Sequence, residues 1–194
     1  MMFPTSITKA EVMEKPLAAF EGKVVIAQTD AQINEALDEI NQFSAVGFDT
    51  EARPTFKKGQ IRNVSLIQVA TDEKVYLLRL LPAALNDKLI EFLENEDLVK
   101  IGIGLNDDYN LLNRLRSFRP QGFLDLNKEV AELGAQSIGA RNLAAMILGI
   151  RISKSAQTSN WENQTLTPKQ IRYAATDAWI CLEIYQQLRN WGYL

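Results

Sequence analysis

Val46-Gly47-Phe48-Asp49-Thr50-Glu51 (VGFDTE) is an apolar run that ends in two carboxylates with a threonine between them. Side chains alternate along an extended strand, so Asp49 and Glu51 point to the same face. Two acids side by side on a sheet face repel each other unless one holds a proton or a cation lies between them. Two readings follow. In one, the strand leaves the core at Asp49 and ends in a solvated acidic turn. In the other, Asp49 and Glu51 share a divalent metal and the rest of the chain supplies the missing ligands. The choice depends on whether more acids arrive at spacings that aim them at the same spot.

Composition narrows the chemistry. A chain of 194 residues, 46% hydrophobic and 23% charged, can bury the core of one domain and is not of disordered type. No apolar run is long enough to span a bilayer, and the start lacks the charged-then-apolar pattern of a signal peptide. The single cysteine, Cys181, excludes a disulfide framework and a cysteine zinc site, and it reads as core packing in an apolar helical run. The expected compartment is cytoplasmic. A formal net charge of −3 does not describe a generally basic nucleic-acid coat. There is no histidine, which removes histidine bases, histidine–zinc sites and Ser-His-Asp triads together. Catalysis, if present, must use carboxylates, tyrosine, lysine or a metal.

Upstream of VGFDTE, residues 1–22 read as an N-terminal extension packed loosely on the domain, with room for a short helix. Lys23–Gln28 is a short strand, and Thr29-Asp30-Ala31-Gln32 fits a capping box that opens a helix with Ile33, Leu37 and Ile40 inward. Downstream, residues 51–59 form a basic turn with Arg53, Lys57 and Lys58. With Arg62 it is either a solvated loop or a rim that contacts phosphates. Residues 61–70 and 74–80 read as successive strands of an antiparallel meander. Pro82–Asn95 is an amphipathic helix, and Leu98–Ile103 is a buried strand.

Gly102-x-Gly104 after that strand has the start of a dinucleotide fingerprint. The third glycine is missing, and Asp107 stands in its place, where a carboxylate would repel a pyrophosphate. That reading is rejected. In the helix that follows, Leu105, Asp108, Leu111/Leu112 and Leu115 share a stripe, so Asp108 faces inward. Asp107 is off the stripe and is the better helix-cap candidate. Asp108 either needs a partner, which a cation shared with Asp49 and Glu51 would supply, or it caps the helix. Phe123–Leu126 is a short strand with Asp125 as a structural acceptor. Leu143–Leu148 is helical and ends at Gly149. The loop from Ile150 to Trp161 carries Lys154, with Trp161 as its anchor.

The last helix opens with Thr167 as cap, Pro168 at the first position and Gln170 at the third. Ile171, Ala174, Ala178, Leu182 and Tyr185 form its packing stripe. Tyr173 and Asp177, four residues apart, lie on one face among alanines that permit close approach to a neighbour.

The acid pair of FDTE (residues 48–51), Asp108 after a GxG strand end, and YAATDA (residues 173–178) together resemble the DEDDy family of 3′–5′ exonucleases. The resemblance covers roughly residues 23–190. Residues 153–178 are especially similar to the Werner-syndrome-type exonuclease domain, and ribonuclease D is a more distant relative. The histidine subclass does not fit a chain without histidine. The resemblance implies an α/β, ribonuclease H-like fold with a central mixed sheet flanked by helices, spanning residues 23–194. It implies a 3′–5′ exonuclease that uses two Mg²⁺ or Mn²⁺ ions. Asp49, Glu51 and Asp177 would hold the first ion, with Asp49 bridging to the second. Asp108 would act on the second through water, and Tyr173 would orient or help deprotonate the attacking water, with the orienting role first. Thr50, Arg53 and Lys154 are the expected substrate contacts. The expected partner is a nucleic acid 3′ end, with DNA favoured over RNA, and no membrane. A catalytically silent nucleic-acid-binding module and a ribonuclease D-like RNA-processing enzyme are the alternatives.

Overall fold

The computed structural model describes residues 3–55, 62–82 and 84–194. Lys57, Lys58 and the start of the expected strand at Ile61 lie outside them. The described residues build a six-stranded mixed sheet from β1 (Lys23–Ala27), β2 (Ala45–Ala52), β3 (Val64–Ala70), β4 (Lys74–Arg79), β5 (Val99–Gly102) and β6 (Phe123–Asp125) in the order β1-β4-β3-β2-β5-β6. β3 and β4 form the expected antiparallel meander, β2 extends it antiparallel to β3, and the remaining pairings are parallel. All seven residues of β3 are buried, as befits a strand covered on both faces.

Helices α2 (Asp30–Ile40), α3 (Asp87–Glu94) and α4 (Asn106–Leu115) cover one face, packing Leu37, Phe92 and Leu112 against Val46 and Phe48. Helices α5 (Leu126–Glu132), α6 (Ala140–Leu143), a π-turn (Ala144–Leu148) and α7 (Pro168–Asn190) cover the other. Helices on both faces of a mixed sheet give the expected α/β architecture.

Local rules fix several boundaries. The capping boxes at Thr29/Gln32 and Thr167/Gln170 form as read, each with the threonine and glutamine reaching each other's backbone N–H. α3 starts at Asp87 and not at Pro82, because Asn86 accepts from Leu89 N at 2.9 Å and fixes the entry. Asp107 does not cap α4. The N-cap position is Leu105, without a side-chain cap, and the Asp125 carboxylate accepts from Gly104 N and Leu105 N at 2.9 and 3.1 Å. Gly104, at φ +78°, takes the turn that presents those donors. Asp125 thus acts as the structural acceptor read from the sequence.

The segment before β1 is held more closely than a loose extension. It contains α1 (Lys9–Glu14) and donates or accepts backbone bonds at Thr5, Pro16 and Ala18. Phe3 packs edge-on to Tyr193 at 5.4 Å, and Phe20 N donates to Thr176 Oγ1 on α7 at 3.0 Å. Among the described residues no helix is long and apolar enough to cross a membrane.

Gly47 sets the distance between β2 and α7. A β-carbon there would stand 2.0 Å from the Ala178 carbonyl oxygen. With Ala174, Ala175 and Ala178 fully buried opposite, the last helix lies close against the strand that carries the acids.

Candidate active site

β5 pairs with β2 only along Ala45–Gly47, while β2 runs on to Ala52. Beyond Gly47 the β5-side edge of β2 is therefore open over Asp49, Thr50 and Glu51. Gly47, Asp49 and Glu51 alternate onto the α7 face, and α7 brings Asp177 over them. Carboxylate oxygens of Asp49, Glu51 and Asp177 lie within 4.8 Å of one another. Glu51 and Asp177 are each 9% exposed, so water shields this cluster little.

Thr50 points to the opposite face, and there its hydroxyl donates to the Asp108 carboxylate on α4. Of the Asp107–Asp108 doublet, Asp107 is exposed and Asp108 is half-buried toward the strand end. Asp108 is outside the three-acid group, but its charge is felt at both Asp49 and Glu51. The acids scattered over positions 49 to 177 thus converge, three by direct approach and the fourth through Thr50.

Their protonation follows from this crowding. Burial, then the neighbouring carboxylates, hold Asp49 well above the ordinary carboxylate range. Burial and the charges of Asp177 and Asp108 push Glu51 up to about 9, with Lys154 opposing. Burial raises Asp108 to about 6 against the Thr50 hydrogen bond. Burial raises Asp177 to about 6 against the Tyr173 hydroxyl and Lys154. Burial and three of these acids push the Tyr173 phenol far above its usual value. Left to themselves, these groups resist ionising together, and a hard cation is the partner that would let them. An all-oxygen donor set suits Mg²⁺ or Mn²⁺. The residues present therefore fit such an ion.

That electrostatics sets the pH dependence of stability without metal. A carboxyl whose folded pKa lies above its unfolded value binds more protons in the native state across the interval between the two. Stability falls as pH rises through that interval. In EDTA, Tm is expected to fall between about pH 4 and pH 9, the span from ordinary carboxylates to Glu51. Saturating Mn²⁺ should flatten or reverse that fall by binding the native state alone. A calorimetric pH series with and without Mn²⁺ measures it, and equal slopes in both would contradict a cation-holding cluster.

The acids open into a cleft of about 310 Å³, also bordered by Lys154, Gln157 and Asn127. Lys154 brings positive charge to Glu51 and Asp177. Arg53, by contrast, donates to Glu162 at 3.1 Å, and Arg62 reaches the same carboxylate at 3.9 Å. Glu162, Gln157 and Asn127 were not singled out from the sequence, because no spacing rule links their loops to the acids. Cys181 packs in the core as expected, and its residue also borders the cleft.

Trp161 anchors the loop that carries Lys154. It is fully buried, 5.9 Å ring to ring from Tyr173, and its carbonyl accepts from Arg79. Gln170 Nε2 donates to Asn160 O at 3.1 Å and ties the same loop to α7. Trp161→Ala should cost about 3–5 kcal/mol of stability in a urea melt, as the loss of a large buried aromatic does.

Paired strand acids met by an acid and a phenol from the last helix, on a mixed sheet flanked by helices, make an acidic centre suited to a divalent cation. The chain belongs to the 3′–5′ exonuclease family, whose sequence model matches residues 24–192. It is 31% identical over 187 residues to the bifunctional 3′–5′ exonuclease/ATP-dependent helicase WRN of Mus musculus, covering 91% of this chain and 13% of the relative. It is 29% identical over 195 residues to an exonuclease mut-7 homolog of Aedes aegypti, covering 88% of this chain and 27% of that protein. The chain thus spans a minor part of these relatives. Among solved structures, the EXO domain of Aedes aegypti Nibbler superposes with a TM-score of 0.79 at 25% identity, covering 89% of this chain and 93% of that one. Escherichia coli RNase D superposes at 0.77 with 22% identity, covering 89% and 47%, which bears on the fold alone.

Proposed function

We propose that this chain removes nucleotides one at a time from the 3′ end of a nucleic acid, DNA before RNA. The observation that carries the reading is the approach of Asp49, Glu51 and Asp177 to within 4.8 Å, with Asp108 tied in through Thr50. A protein that only binds a polyanion gains nothing from clustered acids, which counts against a silent binding module.

In the reaction, water attacks the phosphorus of the terminal phosphodiester and the bond to the preceding 3′-oxygen breaks. That oxygen gains a proton, and a nucleoside 5′-monophosphate leaves. Two Mg²⁺ or Mn²⁺ ions, when bound, would activate the water and neutralise the departing oxygen. Asp49, Glu51 and Asp177 would hold one ion. Asp49 and Asp108 would hold the other. Tyr173, a phenol of ordinary pKa about 10, would orient the water by hydrogen bonding and not serve as the base. Thr50 positions Asp108 and would contact the terminal nucleotide. Lys154 would meet the scissile phosphate from the cleft wall. Arg53 would contact the backbone after leaving Glu162. That half-buried pair is open enough to solvent to exchange.

DNA is favoured by the resemblance of residues 153–178 to the Werner-syndrome-type exonuclease domain, and the chain is 31% identical to the WRN relative. RNA is the second reading, favoured by the fold shared with RNase D, described as an exoribonuclease involved in structured RNA processing. The test uses matched DNA and RNA oligonucleotides with a 5′ label, each with Mg²⁺ and Mn²⁺. A ladder shortening from the 3′ end, faster on DNA, is expected. Faster RNA loss would favour the second reading, and no divalent-dependent shortening of either would contradict both.

A further inference from the structure

A second cavity, about 530 Å³, shares Tyr173 with the acidic cleft. One wall is Leu17, Ala18 and Ala19, from the segment before β1, which lies outside the residues matched by the family model. The other wall is the first turns of α7, with Lys169 and Arg172. Ser153 and Ser155 complete it, on either side of Lys154, which faces the acids. The loop at 153–155 and the Tyr173 ring are therefore a shared partition between the two spaces.

The lining has the chemistry of a nucleotide site. Leu17 is 57% exposed, an apolar surface offered to a flat ring. Lys169 has no ion-pair or hydrogen-bond partner among the described residues, and Arg172 is 60% exposed. Among the described residues the Arg172 guanidinium is engaged only by Glu21, itself 78% exposed, at 2.8 Å, an ion pair that solvent screens. The two serine hydroxyls, bonded to each other at 2.9 Å, can turn to a ligand. The volume is within the range of small-molecule sites.

We infer that this cavity holds the nucleotide preceding the one being removed, with Leu17–Ala19 under its base and Lys169 and Arg172 at its phosphate. The inference rests on the exonuclease reading. With the terminal phosphodiester at the acids, the strand continues past Tyr173 into the adjoining space. The segment before β1 is then part of the substrate groove, and Glu21 tempers the site by competing for Arg172.

The test compares a hexanucleotide with the p-nitrophenyl ester of thymidine 5′-monophosphate, which has the reacting phosphate but no preceding nucleotide. Arg172→Ala/Lys169→Ala and the cavity-filling Ala18→Trp are each measured, with circular dichroism as a folding check. For both variants KM on the hexanucleotide should rise about tenfold, with kcat within twofold and ester hydrolysis unchanged. Glu21→Gln should lower the hexanucleotide KM. Unchanged hexanucleotide KM in folded variants, alongside normal wild-type shortening, overturns the inference and leaves the exonuclease reading intact. Equal losses on ester and hexanucleotide also overturn it, because the residues would then be acting through Tyr173. Thymidine monophosphate inhibition that is lost in Arg172→Ala/Lys169→Ala, with the hexanucleotide KM unmoved, would assign the cavity to released product. Failure of the wild type to shorten any oligonucleotide would remove the reading on which the inference stands.

Discussion

Asp49→Ala should lower kcat for divalent-dependent 3′ shortening by at least about 10³-fold, the scale expected when a group central to a metal-assisted site is removed. The same change should raise Tm in EDTA. It removes a carboxyl whose ionisation burial and the charges of Asp177, Asp108 and Glu51 all oppose. A stabler protein with no activity marks a residue retained for chemistry and not for the fold. Steady-state kinetics and a thermal melt on one preparation measure both effects. An active Asp49→Ala would remove the strand acid from the mechanism. An inactive variant that melted lower would instead point to a structural role.

Gly47→Val is the second large effect, and it touches none of the acids. Its new side chain would occupy the space of the Ala178 carbonyl, where even a β-carbon comes to 2.0 Å. Backbone cannot turn aside as a flexible side chain can, so α7 must lift from β2. Overpacking of this kind costs about 1–3 kcal/mol or more. Because Asp177 and Tyr173 ride on α7, lifting it separates them from Asp49 and Glu51. Misplacement by about 1 Å in such a site costs on the order of 10²-fold in rate. Urea melts and kcat on the folded fraction test this. A Gly47→Val protein with wild-type kcat would show that the close helix–strand contact does not position the acids.

These effects bear on how much of the molecule could be read from its residues. β2 was legible because an apolar run ending in alternating acids obeys a period-two rule. α7 was legible because Thr167, Pro168 and Gln170 are each the residue its opening requires. The inward turn of Asp108 was visible in its leucine stripe. The means of its connection was not, since Thr50 meets it from the opposite face of the strand and no local pattern encodes a contact across 58 positions. Asp107 does not cap α4, and the turn before that helix is held by Asp125 for the same reason: the bond spans elements that are neighbours only in the folded sheet. Arg53 shows the limit from the other side. Its charge was evident, but its present partner, Glu162, lies 109 positions away on a loop with no periodicity to place it. The strand order, with β4 between β1 and β3 and with β2 between β3 and β5, also depends on long-range pairing, which propensity does not specify.

The most direct test of the account is anomalous X-ray scattering from crystals grown with Mn²⁺. The account predicts manganese peaks bounded by Asp49, Glu51 and Asp177, with Asp108 facing the second ion. A well-ordered cleft with these carboxylates in place and no manganese at saturating concentration, or manganese bound only elsewhere, would contradict it.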